Sequence, residues 1–154
     1  MTEGPMRLTL RQQEGYHFEV HFEGTEAAPL QTDEPPPLGG GTGPNPARLL
    51  GTAVANCLAA SLLFALRKFG NEPGPIQAVC TLEPERNEQG RLRISRIDVQ
   101  IQLGVPWANL KHAARAVAQY EDFCVVTQSV RGSIDVRASV SDSAGAAAPT
   151  PAPS

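Results

Sequence analysis

The segment Pro46–Gly70 constrains the fold most, because it has the length and composition of one long apolar helix. Between Arg48 and Arg67 it contains no charged residue. Asn45 is a favourable N-cap, Pro46 suits the first helical position, and the closing glycine can adopt the left-handed conformation that ends a helix. A helix that is apolar on nearly all sides is either buried in a protein core or spans a membrane.

Polar and small residues within this segment favour the buried helix. Gly51, Thr52, Asn56 and Ser61 interrupt it, and basic residues flank both ends, so charge indicates no orientation across a membrane. The amino terminus, MTEGPMRLTL, lacks the apolar stretch of a secretory signal. We therefore predict a soluble, cytoplasmic protein without membrane association, and a membrane span is the alternative.

Alternating and helical patterns on either side of the segment predict an α+β fold. We expect strands at 6–10, 16–23, 76–82, 92–103 and 130–140, a turn at 12–15 and a second helix at 105–120. The apolar side chains of the fourth strand change face between Ile94 and Ile97, which a bulge near Ser95 would correct. The order of elements predicts antiparallel sheets that wrap a long central helix.

Two stretches have a composition that excludes regular structure. Residues 31–46 are dense in proline and glycine and form either a flexible linker or a shaped loop. Residues 142–154 are mostly alanine, proline and serine without periodicity, and we predict a disordered tail there. The remaining residues, 1–141, are expected to form one domain.

Charge and residue types argue against several kinds of binding site. The net charge is -3 without a basic stripe, so nucleic-acid binding is not expected. His17 and His21 share the polar face of one strand, but they are roughly 13 Å apart along it and could not share a metal ion. Three cysteines in a reducing compartment are not expected to form a disulfide framework. Cys80 lies on the apolar face of a strand and is predicted to be a core residue.

Cys57 and Cys124 are the candidate reactive thiols. Neither lies in a CxxC pair or a zinc-binding spacing, and either one alone would be a buried small hydrophobe. A functional interpretation needs both, with one thiol attacking and the other resolving. The neighbouring Glu121 and Asp122 would favour the protonated form of Cys124, which suits the resolving role.

A cation that activates Cys57 must come from another segment, because Arg48 points to the opposite side of the helix. The candidates lie on other predicted elements, and the sequence does not choose among them: Arg7, Arg11, Arg93, Arg96, Arg131 and Arg137.

Two stretches carry distinctive motifs. DEPPPLGGGTGPNPARLLGTAVANCLAAS has an acidic residue followed by prolines, a Gly-Gly loop, a helix-opening proline and a helical cysteine followed by small residues. FCVVTQSVRGSIDVRASV has a cysteine followed by valine, a hydroxyl residue and the final strand. Together they resemble the two cysteine motifs of the OsmC/Ohr family, the osmotically induced and organic-hydroperoxide-resistance proteins. The resemblance extends from Arg7 to Val140.

This resemblance implies an intertwined homodimer whose long helices pack centrally. It also implies a peroxidase of organic hydroperoxides in oxidative stress defence. Cys57 would attack the hydroperoxide and become a sulfenic acid, and Cys124 would condense with it to a disulfide. A dithiol reductant of the lipoyl type would restore the thiols, and no metal, flavin or other cofactor is implied.

One position departs from the family pattern. Active members usually carry a glutamate directly after the helix-opening proline, and that glutamate holds an arginine of the N-terminal part against the reactive thiol. Here the position is Ala47. The chain therefore resembles the OsmC-like branch, and the alternative function is a small-ligand-binding module or thiol redox sensor without efficient peroxidase activity.

Overall fold

The computed structural model describes residues 4–151. The chain divides into two compact units, the first ending at Leu49 and the second beginning at Leu50.

The first unit contains a three-stranded antiparallel sheet. Its strands are β1 (Leu8–Glu14), β2 (His17–Phe22) and β3 (Leu30–Thr32), with β2 in the centre. The alternating pattern correctly predicted β2, in which Val20 is buried. The prediction for β1 was wrong at its end, because the strand continues to Glu14 across an irregular register and the turn is limited to residues 15–16.

The segment between β3 and the long helix is a shaped loop. The buried carboxylate of Asp33 accepts hydrogen bonds from the backbone N–H groups of Glu34 (2.8 Å), Gly40 (3.2 Å) and Thr42 (3.1 Å). These bonds, that of Thr42 foremost, hold the pKa of Asp33 below its ordinary value. Of the two possibilities left by the sequence, the shaped loop is therefore the one observed, but the exclusion of regular structure was wrong for Gln31 and Thr32, which pair with β2 as part of β3.

The long helix, α1, spans Pro46–Lys68. It begins as predicted, because the side chain of Asn45 accepts a hydrogen bond from the backbone N–H of Arg48 at 3.0 Å. It ends before Gly70, which has a φ of 79° and donates its N–H to the carbonyl of Arg67 at 2.8 Å. By length and composition alone this helix could cross a membrane, since its mean hydropathy reaches 2.0.

The sheet of the second unit consists of β4 (Gln77–Arg86), β5 (Leu92–Gln102) and β6 (Asp135–Ser141). Strands β4 and β5 form the predicted antiparallel hairpin, and Ser95 is the extra residue of a bulge, because Glu83 pairs with Arg96 and Pro84 pairs with Ile94. Strand β6 pairs with β5 in parallel, so this sheet is not wholly antiparallel. The parallel pairing follows from the long connection that precedes β6.

One face of α1 fills the core of the second unit. Val54, Leu58, Leu62 and Leu66 are completely buried, and they cluster with apolar side chains of β5 and β6. The buried apolar residues of β5 and β6 are Ile97, Val99, Ile101, Val136 and Val140. A long helix packed on a sheet gives the predicted α+β class. Although α1 is long and apolar enough to span a membrane, this face of the helix is buried in a protein core.

The prediction of one helix over 105–120 was wrong. The chain forms a 3₁₀ turn at Trp107–Asn109, and Leu110 is extended. His112 has a φ of 54°, and only then does helix α2 (Ala113–Gln119) begin. A left-handed residue cannot lie inside an α-helix. His112 therefore separates the 3₁₀ turn from α2, although the apolar residues on both sides of it have helical spacing.

A second 3₁₀ turn, Tyr120–Phe123, leads into helix α3, Val125–Val130, which the sequence pattern did not predict. Val130 therefore ends a helix, and the final strand starts five residues later than expected.

Residues 142–148 are held by hydrogen bonds, although the sequence predicted disorder there. The buried carboxylate of Asp142 accepts from the backbone N–H groups of Trp107 (3.1 Å), Ala144 (2.9 Å) and Ala146 (2.9 Å), which lower its pKa. The backbone N–H of Ala148 donates to Val140 at 3.1 Å. The division into a domain at 1–141 and a tail at 142–154 stays a prediction.

Candidate functional site

Cys57 lies near the middle of α1, at the border between its buried and exposed faces. The next residue, Leu58, is completely buried, whereas Ala53 and Ala60, which neighbour Cys57 on the helix surface, are exposed. The side chain of Cys57 is half-buried and packs against the core. A long helix anchored by its buried face therefore fixes the position of this thiol.

Cys124 is completely buried and forms the N-cap of α3. Its thiol donates to the hydroxyl of Thr127 at 3.0 Å, and its sulfur accepts from the backbone N–H of Thr127 at 3.5 Å. Thr127 is also completely buried. The sulfur of Cys124 is thus held by two contacts from one residue. The sequence pattern contained this hydroxyl residue after Cys124, but no role was assigned to Thr127, because the helix that Cys124 caps was not predicted.

The structure brings the two candidate thiols together. The side chains of Cys57 and Cys124 lie within hydrogen-bonding reach of each other, although 67 positions separate them in the chain. Both are free thiols. Cys80 lies elsewhere, half-buried against the core, where its thiol donates to the carbonyl of Gly51 at 3.5 Å.

Burial raises the pKa of the Cys124 thiol above its ordinary value. The hydrogen bonds from Thr127 oppose this effect, and the neighbouring Cys57 adds to it. The direction agrees with the sequence prediction, but the cause is different. Glu121, which was expected to act through its charge, instead pairs with Arg131 at 2.9 Å. Cys124 therefore enters any reaction at neutral pH as a protonated thiol.

Several of the arginines that the sequence offered as partners of Cys57 pair with carboxylates. Besides Arg131, these are Arg7 with Glu23 at 3.2 Å, Arg96 with Asp98 at 2.8 Å and Arg137 with Asp135 at 2.7 Å. The guanidinium of Arg93 contacts Ser133. The first turn of α1 carries no acidic residue, so the carboxylate replaced by Ala47 has no substitute there.

The histidines of β2 belong to a hydrogen-bonded polar face. Glu19 contacts His21 at 2.6 Å and accepts from Gln31 at 3.0 Å, and Gln31 contacts His17 at 2.5 Å. Within residues 4–151, no group of three or more His, Cys, Asp or Glu side chains has an arrangement that could hold a metal ion.

The sequence profile of the OsmC-like protein family matches residues 39–139, which is more than half of the chain and includes both candidate cysteines. The chain therefore belongs to the OsmC-like protein family. No curated protein matches this chain in sequence.

Solved structures of this family have the same fold. An OsmC-like protein of unknown function from Vibrio cholerae superposes with a TM-score of 0.74 at 12% identity, covering 89% of this chain and 99% of the other. An organic hydroperoxide resistance protein from Elizabethkingia anophelis gives 0.70 at 17% identity, with 92% and 98% covered. The protein OhrB of Bacillus subtilis, also named for organic hydroperoxide resistance, gives 0.63 at 19% identity, with 89% and 98% covered.

Proposed function

We propose that this protein is a thiol-dependent peroxidase that reduces organic hydroperoxides with Cys57 as the attacking thiol and Cys124 as the resolving thiol. The observation that carries the proposal is the meeting of two free thiols from distant parts of the chain. The half-buried Cys57 can be reached from outside, whereas the buried Cys124 can react only with a group beside it.

The reaction has two steps. Cys57 loses its proton, its thiolate attacks the terminal peroxide oxygen, the O–O bond breaks, the alkoxide takes up a proton and leaves as an alcohol, and the sulfur becomes a sulfenic acid. The sulfur of Cys124 then attacks the sulfenic sulfur, an S–S bond forms, and the hydroxyl group leaves as water with the thiol proton. A dithiol of the lipoyl type reduces this disulfide to two thiols and is itself oxidised to a cyclic disulfide.

We also propose a homodimer, with a second copy covering the exposed face of α1. Ala53, Asn56, Ala60 and Phe64 form this face at helical spacing, and the side chain of Phe64 is 69% exposed. The alanines at two of these positions, Ala53 and Ala60, permit the close approach of another helix. Cys57 borders the same face, so the second copy would lie beside the reactive thiol and could supply the cation that activates it.

Family membership supports a role in the response to oxidative stress, because relatives of the same fold carry names that refer to hydroperoxide resistance and osmotic stress. The fold is that of a soluble protein, and the free state of all three cysteines suits a reducing compartment such as the cytoplasm. The proposed partners are therefore a hydroperoxide, a dithiol reductant and a second copy of the chain.

Two observations favour a second candidate function, a small-ligand-binding module or redox sensor with poor turnover. Ala47 removes the carboxylate that active relatives of this family carry at the start of the helix. The first unit also contains a mainly apolar cavity of about 210 Å³ near Leu10, Tyr16 and Phe18. A cavity of this size would hold a small apolar ligand only.

Peroxide consumption by the reduced protein tests the first proposal. Cumene hydroperoxide or hydrogen peroxide is mixed with the protein and dihydrolipoamide in a stopped-flow instrument, and quenched samples are analysed by mass spectrometry. We expect turnover with the organic peroxide and a transient Cys57–Cys124 disulfide. The matched control is Cys80→Ser, which removes the third thiol and should leave both signals unchanged.

Consumption no faster than that of the free dithiol, with both cysteines still reduced, would contradict the peroxidase proposal. In that case the second candidate predicts that a small apolar ligand shifts the unfolding temperature of Cys57→Ser and of the unmodified protein equally. A disulfide that forms once without turnover would instead indicate a redox sensor.

A further inference from the structure

Thr127 contacts the sulfur of Cys124 in two ways. Its hydroxyl oxygen lies 3.0 Å from the sulfur, and its backbone N–H donates to the sulfur at 3.5 Å. Both residues are completely buried, so water does not compete for these contacts. Ser129, the other hydroxyl residue of α3, instead donates to the carbonyl of Val125 at 2.7 Å.

These contacts oppose the unfavourable effect of burial on the reactivity of Cys124. A thiol reacts with a sulfenic acid mainly as its thiolate, and burial disfavours the thiolate. A hydroxyl group can rotate, so it accepts a proton from the neutral thiol and donates one to the thiolate. Thr127 is therefore suited to both protonation states of Cys124.

We propose that Thr127 is a positioning residue for the resolving step, which stabilises the thiolate of Cys124 and keeps its sulfur directed at Cys57. This proposal rests on the function proposed above. In the resolving step, Cys124 loses its proton, its sulfur attacks the sulfenic sulfur of Cys57, the S–O bond breaks, and water leaves with the released proton. Thr127 forms no covalent bond, and its hydroxyl donates to the sulfur that bears the negative charge before the attack.

A thiol titration tests the stabilising role without any peroxide. The test uses the chain with Cys57→Ser and Cys80→Ser, in which Cys124 is the remaining thiol, and it follows thiolate absorbance at 240 nm from pH 6 to 10. Replacing Thr127 by valine keeps the branched shape and removes the hydroxyl. We expect a thiolate fraction about tenfold smaller at a given pH, because a hydrogen bond to a charged group is lost.

The resolving step is measured separately in the chain with all three cysteines. One equivalent of cumene hydroperoxide is added, and the decay of the sulfenic acid into disulfide is followed by mass spectrometry at several pH values. In Thr127→Val we expect about tenfold slower decay at neutral pH and more sulfinic acid under excess peroxide, because the sulfenic acid persists. Thr127→Ser should restore the rate, and Ser129→Ala should leave it unchanged.

Three results would overturn the proposal. The first is a titration curve of Thr127→Val that coincides with that of the parent. The second is a decay slowed equally at every pH, which would indicate a structural role alone. The third is a Thr127→Ser variant as slow as Thr127→Val. If the parent protein forms no sulfenic acid, the proposed function fails, and the titration still decides whether Thr127 stabilises the thiolate.

Discussion

The regions around Cys57 and Cys124 place the same functional group in two different environments. Cys57 lies in the middle of a 23-residue helix, at the border of an exposed face. Cys124 caps a helix of six residues and has no exposed surface. The difference supports the proposed order of events, because a dissolved peroxide can approach the sulfur of Cys57, whereas the sulfur of Cys124 can react only with its neighbour.

Replacing each of the two cysteines separately by serine is expected to have the largest effects, and it tests which thiol attacks and which resolves. In Cys57→Ser we expect peroxide consumption to fall to the background rate, with Cys124 still reduced, because the half-buried sulfur that a peroxide can reach is missing. In Cys124→Ser we expect one equivalent of peroxide to be consumed in a burst and a sulfenic acid to accumulate at Cys57. Dimedone labelling with mass spectrometry checks the site.

The reverse pattern would contradict the proposed order. A burst in Cys57→Ser, with none in Cys124→Ser, would make the buried thiol the attacking one. Near-ultraviolet circular dichroism of both variants controls for the fold, since serine is almost the same size as cysteine.

Alkaline pH should destabilise the region around Cys124, which is the next largest effect. Burial raises the pKa of Cys124 and of the neighbouring Tyr120, so both stay protonated in the folded state at a pH where the unfolded chain would ionise. The folded state then binds more protons, and the free energy of unfolding falls as pH rises above about 8.5 for the thiol and about 10 for the phenol.

Urea unfolding between pH 7.5 and 10.5 measures this dependence. The experiment uses Cys80→Ser as the parent, because burial also raises the pKa of Cys80. Cys124→Ser should lose the decrease that starts near the thiol range, and Tyr120→Phe should lose the decrease at higher pH. A midpoint that stays constant over the whole range in the parent would show that neither group is held protonated by the fold.

The smallest expected effect concerns the start of α1, far along the helix from Cys57. Ala47→Glu adds a carboxylate to a first turn without acidic residues, where it should stabilise the protein by about 0.3–1 kcal/mol through the helix dipole. The family resemblance implies that it should also raise the rate of sulfenic acid formation at Cys57 and leave the resolving step unchanged. Stopped-flow measurements and urea unfolding check both.

Ala47→Gln is the matched control, because it has the same length without the charge. Equal rates in the two variants would show that a carboxylate at this position does not act on Cys57 in this protein.

Patterns of residues that lie close together in the chain predicted several features of the fold correctly. Asn45 and Gly70 marked both ends of α1, and the change of face between Ile94 and Ile97 placed the bulge at Ser95. Both candidate cysteines were named from their contexts. These features depend on neighbours in the chain, and so they can be recognised in a single sequence.

The errors occurred where distant contacts decide the structure. Residues 105–120 have helical spacing, but His112 takes a left-handed conformation and divides them. The β-branched Val130 was predicted as the start of a strand, but it is the last residue of helix α3. The cause of the raised Cys124 pKa was missed for the same reason, because burial cannot be read from the charges beside it in the chain.

The contact between Gly51 and β4 has a further consequence for Cys57. A Cβ atom at Gly51 would lie 2.8 Å from Cδ1 of Leu82 and 3.2 Å from the sulfur of Cys80, so only a hydrogen atom fits between helix and strand. Cys57 lies six residues further along α1, about 9 Å at the helical rise. A larger side chain at position 51 would therefore require Leu82, Cys80 or the helix to shift, and a shift of the helix would change the distance between the sulfurs of Cys57 and Cys124.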